Sequence, residues 1–228
     1  MKIRDLHSWQ VTPSEAVEIQ RQLRSLVSPC NSLGDVHTVA GVDMGIEGQT
    51  GRAAVVVLSY PELEPVAQSL AECPIQFKYI PGLLSFREAP PVLAAFEKLL
   101  VEPDLIIADG QGIAHPRRIG IASHLGLFLD KPTIGCAKSR LCGRYQEPEE
   151  RGGSFSYLLD DGEIIGAALR TKDKTRVVYV SPGHKIDLET SIHYVLSCCR
   201  GYRLPQPIRL AHQAASGATL KTKIRSVS

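Results

Sequence analysis

The chain has 228 residues, 43% hydrophobic and 22% charged, and this composition argues against disorder and favours one domain spanning residues 1–228. Its six cysteines form no C-x-x-C pair, so we predict buried free thiols rather than a zinc site or disulfides, and the net charge of +2 indicates no partner by itself. No apolar run has the length of a membrane span, and MKIRDLHSWQ does not resemble a signal peptide, so we expect a cytoplasmic protein without membrane contact.

The first third of the chain predicts one helix and three strands. The segment TPSEAVEIQRQLRSLVS has a capping box from Thr12 to Glu15 and an apolar face that continues to Leu26 and Val27, which is typical of an amphipathic helix. Three strand patterns follow, HTVAGVDMG, RAAVVVLSY and EPVAQSLAECPI, and we expect the first to end in Asp43. The short linkers between them favour an antiparallel meander.

The rest of the chain alternates helices and strands. The loop KYIPGLLSFREAP precedes a helix in PPVLAAFEKLL, with both prolines in its first turn. A strand in PDLIIAD, a helix in RIGIASHLGLFLD and a strand in PTIGCAK come next. A hairpin that turns at Asp161 and Gly162, a strand in RVVYVSPG and two helices complete the chain. This order predicts an α/β fold, a mixed sheet with helices on both faces, and in one such arrangement the first and fourth strands are parallel neighbours.

Two aspartates stand at the ends of predicted apolar strands. Parallel neighbours would bring Asp43 and Asp109 to the same edge of the sheet, where their like charges repel unless a cation lies between them. Carboxylate and water oxygens suit Mg²⁺ or Mn²⁺, and Glu88 in SFREAP is a candidate third carboxylate. The alternative is that each aspartate is only a turn residue, because glycine follows closely in both cases.

Basic residues are concentrated in the second half of the chain. Between residues 111 and 146 six basic side chains stand against one acid, and the tail adds three more. These residues are Arg117, Arg118, Lys131, Lys138, Arg140, Arg144, Lys221, Lys223 and Arg225. Charge alone does not distinguish a solvated surface from a phosphate-binding one. A metal beside a basic surface indicates phosphodiester chemistry, in which Lys138 would neutralise the phosphate; the alternative is an exposed strand-end lysine.

Several long motifs span nearly the whole chain, namely GVDMG, YIPGLLSFRE, PDLIIADGQGIAHPRRIGIASHLG, PTIGCAKSRLCG, SPGH and RLAH. Together these motifs resemble those of the endonuclease V family, the deoxyinosine-directed repair nucleases. The resemblance implies an RNase H-like fold with Mg²⁺ at the carboxylate edge, where Mn²⁺ would substitute. It also implies cleavage at the second phosphodiester bond on the 3′ side of the lesion.

The resemblance also implies roles for individual residues. Asp43 and Asp109 would be the metal ligands and Glu88 the third acidic catalytic residue. Lys138 would face the phosphate, and His212, to which spacing alone gives no role, would lie beside the water at the metal.

A second group of residues would bind DNA. Tyr79 would be a wedge that fills the space left by the displaced nucleotide, which limits the cost of unstacking. The small residues nearby would let backbone groups read the hypoxanthine edge, and the two arginines would contact phosphate. The predicted DNA-binding residues are Tyr79, Ile80, Pro81, Gly82, Leu84, Gly110, Gln111, Gly112, His115, Arg117 and Arg118.

The YIPG motif departs from the family pattern at one position. Lys78 stands where the family usually has proline, so the loop loses a φ restraint and gains a cation.

Two other functions remain open at the level of sequence. One is a ribonuclease for inosine-containing RNA, and the other is a non-catalytic module that binds inosine. We expect a monomer whose partner is DNA containing deoxyinosine, with inosine RNA as a further candidate.

Overall fold

The computed structural model describes residues 1–218, and the centre of the fold is one eight-stranded sheet. The strands lie in the order β3-β2-β1-β4-β5-β8-β7-β6. Their bounds are β1 Thr38–Glu47, β2 Thr50–Ser59, β3 Pro65–Pro74, β4 Leu105–Ala108, β5 Thr133–Ala137, β6 Phe155–Asp160, β7 Glu163–Leu169 and β8 Val178–His184. The predicted meander β1-β2-β3 is confirmed, and so is the parallel pairing of β4 with β1 on one side and β5 on the other.

Helices cover both faces of the sheet, as predicted. Their bounds are α1 Pro13–Leu23, α2 Leu84–Glu97, α3 Ile121–Leu129, α4 Leu188–Ser197 and α5 Gln206–Ala215. On one face α2 packs against β1, β2 and β3, and α3 packs against β4, β5 and β8. On the other face α5 packs against β1 and β2, and α4 packs against β7 and β8. Strands β4 and β5 are buried on both faces, which explains their uninterrupted apolar sequences.

The first helix begins as predicted, but its apolar face is shorter. The Thr12 side chain accepts a hydrogen bond from the Glu15 amide, and the Glu15 carboxylate accepts one from the Thr12 amide, which completes the capping box. The helix ends at Leu23 and is followed by a 3₁₀ turn, so Leu26, predicted to be on the apolar face, is 56% exposed.

The prediction that α2 begins at the prolines was wrong. The helix begins at Leu84, and Pro90 and Pro91 lie inside it, although neither ring can donate a backbone hydrogen bond. Burial of Ala89 on the sheet and of Phe86 against Trp9 and Phe77 accompanies this early start. Glu88 therefore stands on a helix, not in a loop.

The thiols and the hydropathy pattern complete the comparison. All six cysteines are free, but only Cys136 and Cys198 are buried and Cys30 is exposed, so the prediction of buried thiols holds only in part. Within residues 1–218, none of the helices is both long and apolar enough to cross a bilayer.

Candidate active site

The first and fourth strands bring two aspartates to one edge of the sheet. The parallel pairing of β1 and β4 ends at Val42 and Ala108, and Asp43 and Asp109 are the next residues on the two strands. Both carboxylate side chains are largely buried, with 13% and 12% exposure. The expectation that β1 ends in Asp43 was wrong, because β1 stays paired with β2 as far as Glu47. Asp43 is nevertheless at the end of the parallel pairing.

Glu88 brings a third carboxylate to this edge from helix α2. Burial, together with the charges of Asp43 and Asp109, raises the pKa of Glu88 to about 8. Burial is the larger cause, and the two aspartate charges add to it because the three carboxylates lie near enough to repel one another while all are ionised. The predicted convergence of Asp43, Glu88 and Asp109 is therefore present in the folded chain.

Two basic side chains, Lys138 and His212, contact these carboxylates. The Lys138 ammonium, one residue beyond the end of β5, is hydrogen-bonded to Asp109. Burial raises the pKa of Asp109, and the hydrogen bond from Lys138 opposes that shift. His212 donates from Nδ1 to Asp43 at 2.6 Å, and its side chain is 59% exposed.

Close packing of α5 on β1 places His212 beside Asp43. Gly41 lies against the backbone of Pro207, and a Cβ at Gly41 would overlap that carbonyl group. A glycine at this position of β1 therefore lets α5 approach the strand closely enough for its histidine to reach the aspartate.

The chemistry of these side chains fits a hard divalent cation. Three convergent carboxylates offer oxygen ligands, which Mg²⁺ and Mn²⁺ prefer, and such a cation would relieve the repulsion that raises the pKa of Glu88. As the side chains stand, Asp43 and Asp109 bond to His212 and Lys138, and residues 1–218 contain no group of three or more acidic, histidine or cysteine side chains already arranged around an ion position.

A cavity of about 270 Å³ adjoins the carboxylates, and Asp109 and Lys138 form part of its wall. The predicted DNA-binding residues that line it are Tyr79, Pro81, Gly82, Leu84, Gly110, Gln111 and His115. The predicted residues that do not line it are Ile80, Gly112, Arg117 and Arg118.

Gly112 lies behind the cavity wall and not on its surface. Its amide donates to Ser181 Oγ at 2.8 Å, and a Cβ would overlap the Pro182 carbonyl. The glycine is needed for packing of the loop on β8, so the prediction that its backbone reads the base is not matched by its position.

The tip of the YIPG loop is held in place by three hydrogen bonds to one of its own carbonyl groups. The Gly82 carbonyl accepts hydrogen bonds from Arg117 Nη2 at 2.7 Å, His115 Nε2 at 2.9 Å and Gln20 Nε2 at 3.0 Å. Gly82 has φ +79°, a conformation that favours glycine. Burial lowers the pKa of His115 to about 4, which keeps the imidazole neutral at physiological pH. Arg117 and His115 thus order the loop, which explains why Arg117 does not reach the cavity.

Arg118 is also bound within the chain. Its guanidinium contacts Asp160 at 2.8 Å and Glu163 at 2.9 Å, both beside the β6–β7 turn, and the side chain is 13% exposed. Its position differs from the predicted one, because two carboxylates already neutralise the charge that was assigned to phosphate.

Tyr79 lies at the rim of the cavity and is 63% exposed. The Arg87 guanidinium stands 5.8 Å from the centre of its ring. The alternative that Tyr79 is a core aromatic is wrong, because most of its surface faces solvent.

The basic residues do not form one continuous surface. Lys138 and Arg140 line the cavity, whereas Lys131 pairs with Glu102 at 3.2 Å. Arg144 pairs by backbone with Leu159 on the edge strand β6. Three tail residues of the predicted group lie outside the described residues, namely Lys221, Lys223 and Arg225.

Three polar residues that the sequence did not indicate line the same cavity, namely Gln20, Ser85 and Ser139. Gln20 comes from the buried face of α1, and Ser85 comes from the first turn of α2, within the segment predicted to be a loop. The amphipathic pattern marked α1 but does not distinguish a buried polar residue with a role from one without.

Comparisons of this sequence with known proteins all indicate the same family. The family model described as Endonuclease V matches residues 21–213. A protein from Dehalococcoides mccartyi named Endonuclease V is 53% identical over 218 residues, which cover 95% of this chain and 98% of that protein.

Solved structures with the same fold agree with the family match. The crystal structure of Endonuclease V from Streptomyces avermitilis superposes with a TM-score of 0.88 at 38% identity, covering 95% of this chain and 97% of that one. Endonuclease V from Ciona intestinalis, in complex with a 24mer DNA containing an inosine followed by a ribo-adenosine, superposes with a TM-score of 0.78 at 27% identity, covering 90% of this chain and 96% of that one.

Proposed function

The chain belongs to the endonuclease V family and has an RNase H-like α/β fold, and on this premise we propose that it nicks DNA at deoxyinosine in a Mg²⁺-dependent reaction. The cut would be at the second phosphodiester bond on the 3′ side of the lesion. The observation that carries the proposal is that the cavity shares Asp109 and Lys138 with the carboxylate cluster. A base held in the cavity is therefore bound beside the groups that would act on the same strand.

Two of the three carboxylates would hold the metal. Asp43 and Asp109 would be the ligands, with Glu88 as the third acidic group. When bound, the ion supplies the positive charge that activates water and stabilises the phosphate oxygens in the transition state. Mn²⁺ has the same preference for oxygen ligands and would substitute.

Lys138 and His212, which contact the carboxylates, would act on the phosphate and on the attacking water. Lys138 would exchange its contact with Asp109 for the scissile phosphate and neutralise charge that develops there. His212 holds Asp43 through Nδ1, and its remaining ring nitrogen would transfer a proton to or from water. Both roles follow from side chains that already contact the carboxylates.

The cavity and its rim would bind the displaced nucleotide. Gly82, Leu84, Gly110 and Gln111 line the cavity, and their backbone groups would read the edge of a base. Tyr79 would occupy the space in the helix from which that base has moved, because its ring is exposed at the rim. The protein would act as a monomer formed by one domain, and the cytoplasmic location stays a prediction.

Inosine-containing RNA is a second candidate substrate. The support is that the DNA bound to the Ciona relative has a ribo-adenosine directly after the inosine. A ribonucleotide at that position is therefore compatible with binding to a related site.

The test is cleavage of one labelled sequence as deoxyinosine duplex DNA and as inosine RNA, each with Mg²⁺, with Mn²⁺ and with a chelator. We expect a single nick at the second bond 3′ to deoxyinosine that disappears with the chelator. Asp43→Asn and Asp109→Asn should abolish nicking and retain binding, whereas the turn variant Asp161→Asn should cut normally. Binding without nicking by the native protein would favour the non-catalytic module, and near-normal nicking by either site variant would refute the metal assignment.

A further inference from the structure

We propose that Ser85 Oγ accepts a hydrogen bond from the protonated N1 of the lesion base, and that His7 and His124 fix the direction of that hydroxyl group. The inference rests on the proposed function, since it concerns the base held in the cavity. Ser85 lines the cavity from the first turn of α2 and is 2% exposed.

A chain of hydrogen bonds runs from the N-terminal segment to this serine. His7 Nδ1 contacts the Ser8 carbonyl at 2.8 Å, and His7 Nε2 contacts His124 Nε2 at 2.7 Å. His124 Nδ1 contacts Ser85 Oγ at 2.9 Å. The His7–His124 contact joins residues 117 positions apart, and His124 is fully buried on α3.

The direction of every bond in this chain follows from its first member. A carbonyl group only accepts, so His7 Nδ1 carries a proton, and the Nε2 of a neutral His7 must then accept. His124 therefore donates from Nε2, its Nδ1 accepts, and the Ser85 hydroxyl donates to that Nδ1.

Both histidines favour the neutral form that this assignment requires. Burial against Trp9, Phe86 and Phe128 lowers the pKa of His7. Burial also lowers the pKa of His124 well below its ordinary value. Above neutral pH each ring therefore has one proton, and the direction of the chain does not reverse.

Because the hydroxyl hydrogen of Ser85 is donated to His124, the oxygen can offer only its lone pairs to the cavity. Hypoxanthine has a proton on N1 and can donate to them, whereas N1 of adenine is itself an acceptor and would be left facing another acceptor. Such an unpaired contact costs more than a good one gains, so a fixed acceptor discriminates the two bases. Xanthine and guanine also have a protonated N1, so Ser85 does not separate them from hypoxanthine.

A competing acceptor in the cavity is the side-chain oxygen of Gln111. Gln111 Nε2 donates to the Ser139 carbonyl at 2.9 Å, and Oε1 is buried without a partner among residues 1–218. Ser85 is the stronger candidate because the buried His124 and the half-buried His7 support it at a site where apolar side chains would otherwise pack against Trp9 and Phe128. A series of buried hydrogen-bonded groups is costly unless every group has a partner. This series fixes the Ser85 hydroxyl group in a single orientation.

The test measures binding of single-stranded oligonucleotides at pH 8 in the presence of a chelator, so that cleavage does not contribute. The probes contain deoxyinosine, its 1-deaza analogue, in which C–H replaces N1–H, or deoxyadenosine. We expect the native protein to bind the deaza probe about three- to tenfold more weakly than deoxyinosine, the range for one hydrogen bond. Ser85→Ala should lose a similar factor on deoxyinosine and bind the two probes equally.

Three further variants separate the causes. Ser191→Ala removes a buried helical hydroxyl on the opposite face of the sheet and should keep the full native difference between the probes. His124→Phe keeps a planar ring but frees the Ser85 hydroxyl to rotate and to donate to N1 of adenine, so the preference for deoxyinosine over deoxyadenosine should shrink while the difference between the two inosine probes remains. Gln111→Met tests the competing acceptor and should leave the difference unchanged. Thermal denaturation accompanies each variant, and Ser85→Cys, with its weakly accepting sulfur, replaces Ser85→Ala if the latter is poorly folded.

The outcomes distinguish the inference from the function on which it rests. If the native protein does not prefer deoxyinosine to deoxyadenosine, the proposed function fails. If that preference is present but Ser85→Ala weakens both inosine probes equally, or Gln111→Met removes the difference, the role of Ser85 is overturned and the proposed function stands.

Discussion

Replacement of Tyr79 by alanine should weaken binding of deoxyinosine in a duplex more than in a single strand. The ring is 63% exposed at the cavity rim, so it is free to stack where a base has left the helix. Base–aromatic stacking contributes ~1–3 kcal/mol, so the duplex affinity should fall roughly tenfold to a hundredfold. A single strand has no stacked helix to be held open, and its affinity should fall less.

The same exposure limits the effect of this substitution on folding. Truncation of a fully buried aromatic costs ~3–5 kcal/mol, and little more than a third of Tyr79 is buried. Adding a weak cation–π contact with Arg87, we expect a loss of about 1–2 kcal/mol in the free energy of unfolding, or roughly 2–8 °C in Tm.

Fluorescence anisotropy with matched duplex and single-stranded probes, beside calorimetry, measures both quantities. Tyr157→Ala is the control, because Tyr157 is 45% exposed on the edge strand β6, away from the cavity. The control should bind both probes as the native protein does. Equal losses on the two probes, or a fall in Tm typical of a core residue, would show that Tyr79 is not a wedge.

Two further predictions concern stability. Gly112→Ala should lower the free energy of unfolding by about 1–3 kcal/mol and Tm by roughly 2–12 °C, because the added Cβ overlaps backbone of β8. Calorimetry should find the Tm of the control Gly34→Ala within about 2 °C of the native value, since the Cβ added there meets no atom within 4 Å. Burial lowers the pKa of His115 to about 4, so between pH 6.5 and 4 the unfolded chain binds more protons than the folded one. The free energy of unfolding should therefore be about 2 kcal/mol lower at pH 5 than above pH 6.5. Urea unfolding at pH 7 and 5 should show a weaker pH dependence in His115→Gln and an unchanged one in the exposed His193→Gln; an unchanged dependence in the first would contradict the reasoning.

The order of strands around the site was predictable because it follows from local patterns. Apolar runs between short linkers indicated a meander and then parallel strands, and the neighbouring positions of Asp43 and Asp109 follow from that pairing. The length of β1 was not predictable in the same way. Its last residues pair only with β2, so the hairpin extends the strand beyond the point where the parallel partner stops.

The start of α2 shows where local rules lose to tertiary packing. Two consecutive prolines favour the first turn of a helix, and that rule placed Glu88 outside it. In the fold, burial of Ala89 on the sheet and of Phe86 against Trp9 and Phe77 accompanies two missing backbone donors. Glu88 therefore lies near Asp43 and Asp109 as expected, but on a helix and not in the predicted loop.

The direction in which a cation faces is the property that sequence conveys least. Arg117 and Arg118 follow the glycine loop and were assigned to phosphate, but the partners that hold them are distant in the chain: the Gly82 carbonyl for one, and Asp160 with Glu163 for the other. A count of charges within a window cannot include those partners. Lys138 was placed correctly because its strand pairs directly with the one that ends before Asp109, so backbone register, rather than charge, determines where its side chain lies.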